Sequence, residues 1–277
     1  MKSILIVNDH SSESEHAAVF ALVLAQRIGA NIILANLPEL KLSAAATYGW
    51  TETPPEEDLS GTVHSELMRN LLERKMINPG FKPVIREMNF SAEKEDLFTL
   101  TSENEILMVI KGLDEFLPHA LLNVNLAINN LLNKLHVPLL IVPSSWSENE
   151  LKRMVYLTDL RFCCIGTLKF LANLAACWDA NLVIAHSSAS GLPQMELNQA
   201  KEVFNEEISL NVGYKKLFLN MLDQGKSVDT IEVVVNEMQA DLLILVNQHF
   251  HFNSLTEQYF KDKCALYKPV PLLVFPS

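Results

Sequence analysis

Two aspartates that directly follow short apolar runs are the first residues of this chain whose position suggests chemistry. Asp9 ends the run I-L-I-V-N-D, and Asp159 ends the run V-Y-L-T-D. A carboxylate at the carboxyl end of a parallel strand lies where α/β proteins bind their ligands. The same carboxylate can instead cap the turn into the next helix, which is a structural role. Both interpretations stay open for Asp9. The structural one is favoured for Asp159, because Leu160-Arg161-Phe162 follows it in place of a serine-rich turn.

Asparagine and histidine supply the other candidates for ligand contact. Asn36 and His186 end the second apolar run of each half, although His186 can equally be a hydrogen-bonded histidine at a strand end. His249 and His251 alternate, so an extended backbone would place both imidazoles on one side, as a transition-metal site requires. No cysteine, aspartate or glutamate lies within the spacing of a normal zinc motif. We therefore interpret this pair as part of a solvated or partner-facing loop and expect no metal.

The motifs of covalent and nucleotide-dependent catalysis are missing from the sequence. It contains no G-x-S-x-G, no glycine-rich loop that ends in lysine, and no G-x-G-x-x-G after either of the two aspartate-terminated runs. We therefore expect a protein that is not an enzyme, with no catalytic residue and no cofactor.

Charge and composition exclude two further classes of function. The formal net charge is −11 and the lysines and arginines are scattered, which opposes binding to nucleic acid or to an anionic membrane. No apolar run reaches the roughly 18–20 residues of a membrane helix, and the chain enters a strand-like run too early for a secretion signal. None of the four cysteines forms a C-x-x-C pair. The sequence therefore predicts a protein of the reducing cytoplasm.

The chain repeats itself. Val137–Ser144 reads V-P-L-L-I-V-P-S, and Val270–Ser277 reads V-P-L-L-V-F-P-S. Each strand-end aspartate is also followed, at the same distance, by an Ala-Asn pair. Several anchors in the same order and spacing indicate two homologous domains, residues 1–144 and 150–277, joined by a short polar linker.

Both halves alternate short β-branched runs with longer amphipathic segments. This pattern predicts βαβ units around a parallel sheet, and the continuous apolar strands predict helices on both of its faces. The predicted strands are Ser3–Val7, Ile32–Leu37, Pro83–Asn89, Ile106–Ile110, Leu139–Val142, Met154–Leu157, Leu182–His186, Lys216–Met221, Leu242–Val246 and Leu272–Phe275. The predicted helices are Glu13–Ile28, Thr62–Met76, Ala92–Thr101, His119–Leu135, Ile165–Trp178, Gln194–Leu210, Ser227–Met238 and Ser254–Leu266.

Only the first half carries a long insert after its second strand, at residues 38–61. Long loops in compact domains commonly have a function. Tyr48 and Trp50 within the insert could cap a crevice bordered by Asp9 and Gly112. The alternative interpretation is an ordinary surface loop.

These features, in this order, resemble those of tandem universal stress proteins over essentially the whole chain. In that family the first strand ends in an aspartate that precedes a serine-rich turn and an alanine-striped helix. The matching residues here are Asp9, Ser11, Ser14, Ala17, Ala21 and Ala25. The resemblance implies two tandem open five-stranded parallel sheets of strand order 3-2-1-4-5, with any ligand in the crevice at the carboxyl ends of the strands. It also implies that the halves pair through their fifth strands as an internal pseudo-dimer, which would remove two exposed sheet edges.

The nucleotide-binding members of that family carry G-x-x-G-(x)9-G-[ST] after the fourth strand. Glycines let backbone N–H groups approach phosphates closely, and the hydroxyl adds a donor at a helix N-terminus. Gly112 takes the first place here, but Glu115 occupies the second and Asn125-Leu126 the final pair. The corresponding loop of the second half, from Asn247 to Tyr259, contains no glycine. We therefore expect no ATP site of the family type in either half.

Taken with the resemblance, the residues predict a non-catalytic stress-response or regulatory protein that binds a small ligand or a protein partner. The candidate ligand-binding residues are Asp9, Asn36, Gly112, Asp159 and His186. One alternative is a nucleotide-binding protein with slow ATP turnover in the first half, using Gly112 and Asp9. Another is a structural pseudo-dimer that recruits partners through its paired sheet edges. Whether two whole chains form a homodimer is left open.

Overall fold

The computed structural model describes most of the chain. The described residues are 2–36, 65–77, 80–89, 101–102, 104–113, 135–146, 150–189, 191–222, 230–247, 252, 255–256, 259 and 269–276. The insert at 38–61, with Tyr48 and Trp50, lies outside them, so the lid interpretation stays a prediction. The same holds for most of the predicted helices Ala92–Thr101, His119–Leu135 and Ser254–Leu266.

All ten predicted strands are present, with ends within three residues of the prediction. The strands are β1 Ser3–Asn8, β2 Asn31–Asn36, β3 Ile85–Asn89, β4 Ile106–Leu113, β5 Leu139–Pro143, β6 Arg153–Thr158, β7 Asn181–His186, β8 Leu217–Met221, β9 Leu242–Val246 and β10 Leu272–Phe275. The described helices are α1 Ser12–Ile28, α2 Glu66–Ile77, α3 Ile165–Ala176, α4 Leu197–Glu202, α5 Leu210–Val212 and α6 Thr230–Glu232. A π-helical segment, Val203–Ser209, joins α4 to α5, and another, Val233–Glu237, extends α6.

The strands form one sheet rather than two. Its order is β3-β2-β1-β4-β5-β10-β9-β6-β7-β8, so each half has the predicted order 3-2-1-4-5. All neighbouring strands are parallel except β5 and β10, which pair antiparallel with Leu273 opposite Leu140. The predicted contact between the fifth strands is therefore confirmed. It also corrects the prediction of two sheets, because the hydrogen bonds continue across this contact.

Helix α1 shows why a stripe of small residues matters in this fold. Ser11 caps its N-terminus by accepting a hydrogen bond from the Ser14 backbone N–H, and Gly29 ends it with a φ of 69°. Ala17, Ala21 and Ala25 are fully buried, so the helix axis lies close to the sheet. Close packing of this kind fixes the start of α1 against the strand ends that carry the polar residues.

The start of the segment between the two halves is anchored at Trp146. Trp146 is almost fully buried and packs edge-on against Phe20, with 4.7 Å between the ring centroids. Its carbonyl oxygen lies 2.6 Å from His16 Nε2. The end of α1 also reaches the second half, where the Arg27 guanidinium lies 6.0 Å from the centre of the Trp178 ring. The halves are thus held together by packing as well as by the sheet.

Among the described helices, none combines the length and the apolar character that crossing a membrane requires.

Candidate functional site

The strand order reverses at two places, and ligands of open α/β sheets bind at such switch points. We call the carboxyl ends of β1 and β4 the first switch point, and those of β6 and β9 the second. Asp9, Asn36 and Gly112 lie at the ends of β1, β2 and β4 on the first. At the second switch point, Asp159 directly follows β6 and His186 is the last residue of β7. All five candidate residues therefore lie at the carboxyl edge of the sheet.

Asp9 is the more accessible of the two aspartates, with 38% of its side chain exposed. Its Oδ1 accepts hydrogen bonds from the backbone N–H (3.2 Å) and the hydroxyl (2.5 Å) of Ser11. Its Oδ2 lies 3.4 Å from the Lys111 ammonium, which is 27% exposed. Partial burial raises the pKa of Asp9, but the Ser11 hydroxyl and the Lys111 charge outweigh this and leave that pKa below its ordinary value. The first switch point therefore presents an ionised carboxylate beside an ammonium group.

A chain of polar side chains runs behind Asp9 along the edge of the sheet. Asn8 is buried and donates a 2.7 Å hydrogen bond to the Asn36 carboxamide, which donates in turn to Glu87 Oε1 at 2.8 Å. The Ser14 hydroxyl donates to Asn8 Oδ1 at 2.8 Å. Sequence reasoning found Asn36 but missed Asn8 and Glu87. The available signal was an asparagine within an apolar run, which a buried strand tolerates only when its amide is hydrogen-bonded.

Gly112 has a packing role that the sequence did not reveal. A Cβ at this position would lie 2.8 Å from the Ser14 backbone nitrogen and well inside contact distance of the Glu13 carbonyl group. The first turn of α1 therefore rests directly on the backbone of β4. This close contact explains why position 112 is a glycine, without requiring that the glycine binds a phosphate.

Asp159 is almost completely buried, and the protein itself satisfies its carboxylate. Oδ1 accepts hydrogen bonds from the Arg161 backbone N–H (3.0 Å) and side-chain Nε (2.9 Å). Oδ2 accepts from Arg161 Nη2 and from the Ala189 backbone N–H, both at 2.8 Å. Burial raises the pKa of Asp159, but these donors outweigh it and hold that pKa below its usual value. The geometry agrees with the structural role that the sequence favoured, since Asp159 ties the turn after β6 to the loop after β7.

His186 belongs to the same buried network. Its Nδ1 accepts a 3.1 Å hydrogen bond from the Leu160 backbone N–H, so the neutral ring carries its proton on Nε2. Nε2 lies 3.3 Å from the Ser188 hydroxyl, which accepts from the Met195 backbone N–H at 3.3 Å. The loop after β7 is thereby held against the second switch point.

The trio of Asp159, His186 and Ser188 has the composition of a hydrolase triad but the wrong geometry. In such a triad the histidine Nδ1–H donates to the aspartate. Here Nδ1 is an acceptor and lies 4.0 Å from Asp159 Oδ1. All three side chains are also buried in this structure.

The network around His186 predicts that stability falls on mild acidification. Burial lowers the pKa of His186 below 6.5, and Arg161 adds to this while Asp159 opposes it. Below about pH 6.5 the unfolded chain gains a proton that the folded chain excludes, so stability is lost as the pH falls. One such proton changes the free energy of unfolding by up to about 1.4 kcal/mol per pH unit. Urea unfolding between pH 7.5 and 5 measures this slope.

The matched variants are His186→Asn, whose Oδ1 can still accept from Leu160, and His10→Asn at an exposed turn. We expect the first to flatten the slope and the second to leave it unchanged. An unchanged slope in His186→Asn would show that the acid sensitivity arises elsewhere.

The alternating histidine pair of the sequence lies in a part of the chain that the structure does not describe. His249 and His251 both lie outside the described residues. Among the residues that are described, no group of three or more metal-ligating side chains comes together.

No protein-family model and no curated protein matches the chain. Solved structures match it over its full length. A universal stress protein from Archaeoglobus fulgidus gives a TM-score of 0.60 at 12% identity, covering 99% of this chain and 97% of that one. A functionally unknown protein from Pseudomonas aeruginosa gives 0.55 at 12% identity, with coverages of 99% and 92%. The cytoplasmic domain of a prokaryotic cation chloride cotransporter gives 0.52 at 10% identity, with coverages of 99% and 94%. At these identities the similarity shows a shared α/β fold.

Proposed function

We propose that this chain is a tandem universal stress protein whose two repeats form an internal pseudo-dimer. In this proposal it acts in the cytoplasm as a non-catalytic stress-response or regulatory protein that binds a small ligand or a protein partner. Two observations support the family: the motifs repeated in the two halves, and the full-length similarity of fold to a universal stress protein.

The first switch point is the binding site in this proposal. The observation that carries this proposal is that the two aspartates differ in solvent exposure and in how fully the protein's own groups occupy their carboxylate oxygens. Asp159 has both carboxylate oxygens occupied by Arg161 and Ala189 and is shielded from solvent. Asp9 and Lys111 remain partly exposed at the equivalent edge of the first half. A ligand can therefore reach two opposite charges at the first switch point, whereas at the second the protein's own groups use the carboxylate.

ATP is not the expected ligand. A phosphate site needs backbone N–H groups that close on the anion, and the sequence after β4 offers Glu115 and Asn125-Leu126 where the family pattern has glycines and a hydroxyl. The packing of Gly112 against α1 gives that glycine a reason other than phosphate binding. The Asp9 carboxylate, whose pKa is lowered, adds a negative charge at the same edge.

Calorimetric titration with magnesium-ATP is expected to show no site tighter than about millimolar, because each lost donor to a phosphate weakens binding by about 1.5–3 kcal/mol. Phosphate release at saturating ATP should equal the buffer control. A micromolar site that disappears in Lys111→Met would contradict the proposal and support the nucleotide-binding alternative.

The ligand itself can be sought by mass spectrometry of the small molecules released when the purified protein is heat-denatured. Asp9→Asn/Lys111→Met removes both charges from the first switch point. The control, Asp179→Asn/Lys216→Met, removes an exposed ion pair of 2.6 Å elsewhere in the second half. We expect the wild type and the control to release the same compound and the first variant to lose it. A compound retained by all three proteins would exclude the first switch point as its site.

A further inference from the structure

A cleft lies on the second half, away from both switch points. It has a volume of about 380 Å³, within the range of small-molecule sites. Arg153 and Asn181 begin β6 and β7, so the cleft opens near the amino ends of these strands rather than at the carboxyl ends where the switch points lie. Its described lining residues are Arg153, Asn181, Val183, Phe218, Asn220, Glu237 and Met238.

Apolar side chains form part of the cleft lining, and one of them is an exposed aromatic ring. Val183 on β7 pairs with Phe218 on β8, so the two side chains lie next to each other on one face of the sheet. Phe218 is 48% exposed, whereas Val183 is nearly buried. A large aromatic side chain that is half exposed inside a concave site can stack against a planar ligand.

A positive charge is held in position beside these apolar side chains. The Arg153 side chain is half buried, and its Nη1 donates a 2.5 Å hydrogen bond to the Met238 carbonyl. No carboxylate among the described residues forms an ion pair with it. The guanidinium therefore keeps donors available for a ligand, and its planar fork matches a carboxylate.

Two carboxamides complete the polar groups of the cleft. They belong to Asn181 on β7 and Asn220 on β8. Neither side-chain carboxamide has a hydrogen-bond partner among the residues that the structure describes. Glu237 lies exposed in the lining and contributes a negative charge. A ligand with more than one negative charge would be repelled by this carboxylate.

The first half, built on the same pattern, lacks this arrangement. The register places Ser3 where the second half has Arg153, and Arg86 where it has Phe218. Asn31, the counterpart of Asn181, uses its carbonyl to accept a 3.0 Å hydrogen bond from the Val84 backbone N–H. This set of lining residues is thus a feature of the second half rather than a consequence of the fold.

We propose that this cleft binds a small aromatic monocarboxylate. The ring of the ligand lies on Val183 and Phe218, its carboxylate pairs with Arg153, and the Asn181 and Asn220 carboxamides fix its orientation. Glu237 selects against dianions. This site is independent of the first switch point and of the function proposed for it.

Benzoate is a suitable probe, used in a titration of the full-length ¹⁵N-labelled protein that follows backbone amide shifts by NMR. We expect saturable shifts at Asn181, Phe218 and Asn220, with a dissociation constant in the millimolar range for so small a ligand. Benzamide, which lacks the charge, and phthalate, which carries two, are each expected to bind roughly tenfold more weakly.

Variants distinguish benzoate binding in the cleft from non-specific binding of an anion to the protein surface. Arg153→Gln and Phe218→Ser are each expected to weaken benzoate binding about tenfold or more. Phe218 is on the surface, so its variant tests the site even if Arg153→Gln fails to fold. The control Arg86→Gln removes one positive charge from the corresponding edge of the first half and should bind benzoate as the wild type does.

The proposal is overturned if benzoate leaves the β7 and β8 amides unshifted, or if its shifts cluster around Asp9 and Lys111 instead. Equal binding of benzamide would also overturn it, as would an unchanged affinity in Phe218→Ser.

Discussion

Replacing Gly112 with alanine should lower the free energy of unfolding by about 3 kcal/mol. The added Cβ would meet backbone atoms of Glu13 and Ser14, which cannot rotate away as the end of a side chain can. Helix α1 would have to shift away from β4, and overpacking of this kind costs about 1–3 kcal/mol or more. Such a shift would also disturb Asp9, which is linked to the start of α1 through Ser11. Urea unfolding followed by circular dichroism measures the loss.

Gly166 supplies the matched control for this substitution. It lies in the first turn of α3, where a Cβ would approach only the Cys164 sulfur, at an ordinary 3.6 Å. Alanine forms helices better than glycine, so Gly166→Ala should be neutral or stabilise by up to about 1 kcal/mol. If the two alanine variants unfold at the same urea concentration, close packing is not the reason for glycine at position 112.

The second large effect is expected for Asp159→Asn, which should destabilise the protein by about 2–4 kcal/mol. Asparagine keeps one acceptor oxygen but replaces the other with an NH₂ group that faces donors from Arg161 or Ala189. A buried donor without an acceptor, together with an arginine that has lost its partner, accounts for a cost of this size. The Arg161 and Ala189 backbone N–H groups donate to different oxygens of Asp159. We therefore expect hydrogen exchange to accelerate at whichever of these two amides faces the new NH₂ group.

Asp9→Asn is the corresponding change in the first half, and its expected cost is below about 1 kcal/mol. Asp9 is partly exposed, its contact with Lys111 is long, and asparagine can still accept from Ser11. Equal destabilisation by the two substitutions would mean that the two aspartates have equivalent structural roles, against the geometry described above.

The strands were predictable because their signal is local. Each one is a short apolar run, and the repeat of the sequence placed the same runs in the same order in both halves. The strand order within each half came from the resemblance, since periodicity alone does not determine which strands are neighbours. The pairing of the two fifth strands was predicted from the resemblance together with the need to cover two apolar edges, and the structure places Leu140 opposite Leu273.

The site was predictable only in outline. Strand ends are visible in the sequence, so it predicted that Asp9, Asn36, Asp159 and His186 lie at the carboxyl ends of strands, which is where the structure has them. Their partners were not, because Lys111 and Ala189 are far from Asp9 and Asp159 along the chain and meet them only in the folded sheet. The turn residue Arg161 was noticed only as a departure from a serine-rich pattern, although it binds Asp159 through three hydrogen bonds.

The sequence by itself determined the α/β class, the repeat, the positions of the strands and the edge of the sheet at which polar side chains collect. These depend on apolar periodicity and on motifs within a few residues of one another. The tertiary structure decided that Gly112 supports α1, that the aspartates at equivalent positions differ in exposure, and that Arg153 and Phe218 line one cleft. These features depend on contacts between distant segments, whose distances and burial are fixed only when the helices pack on the sheet.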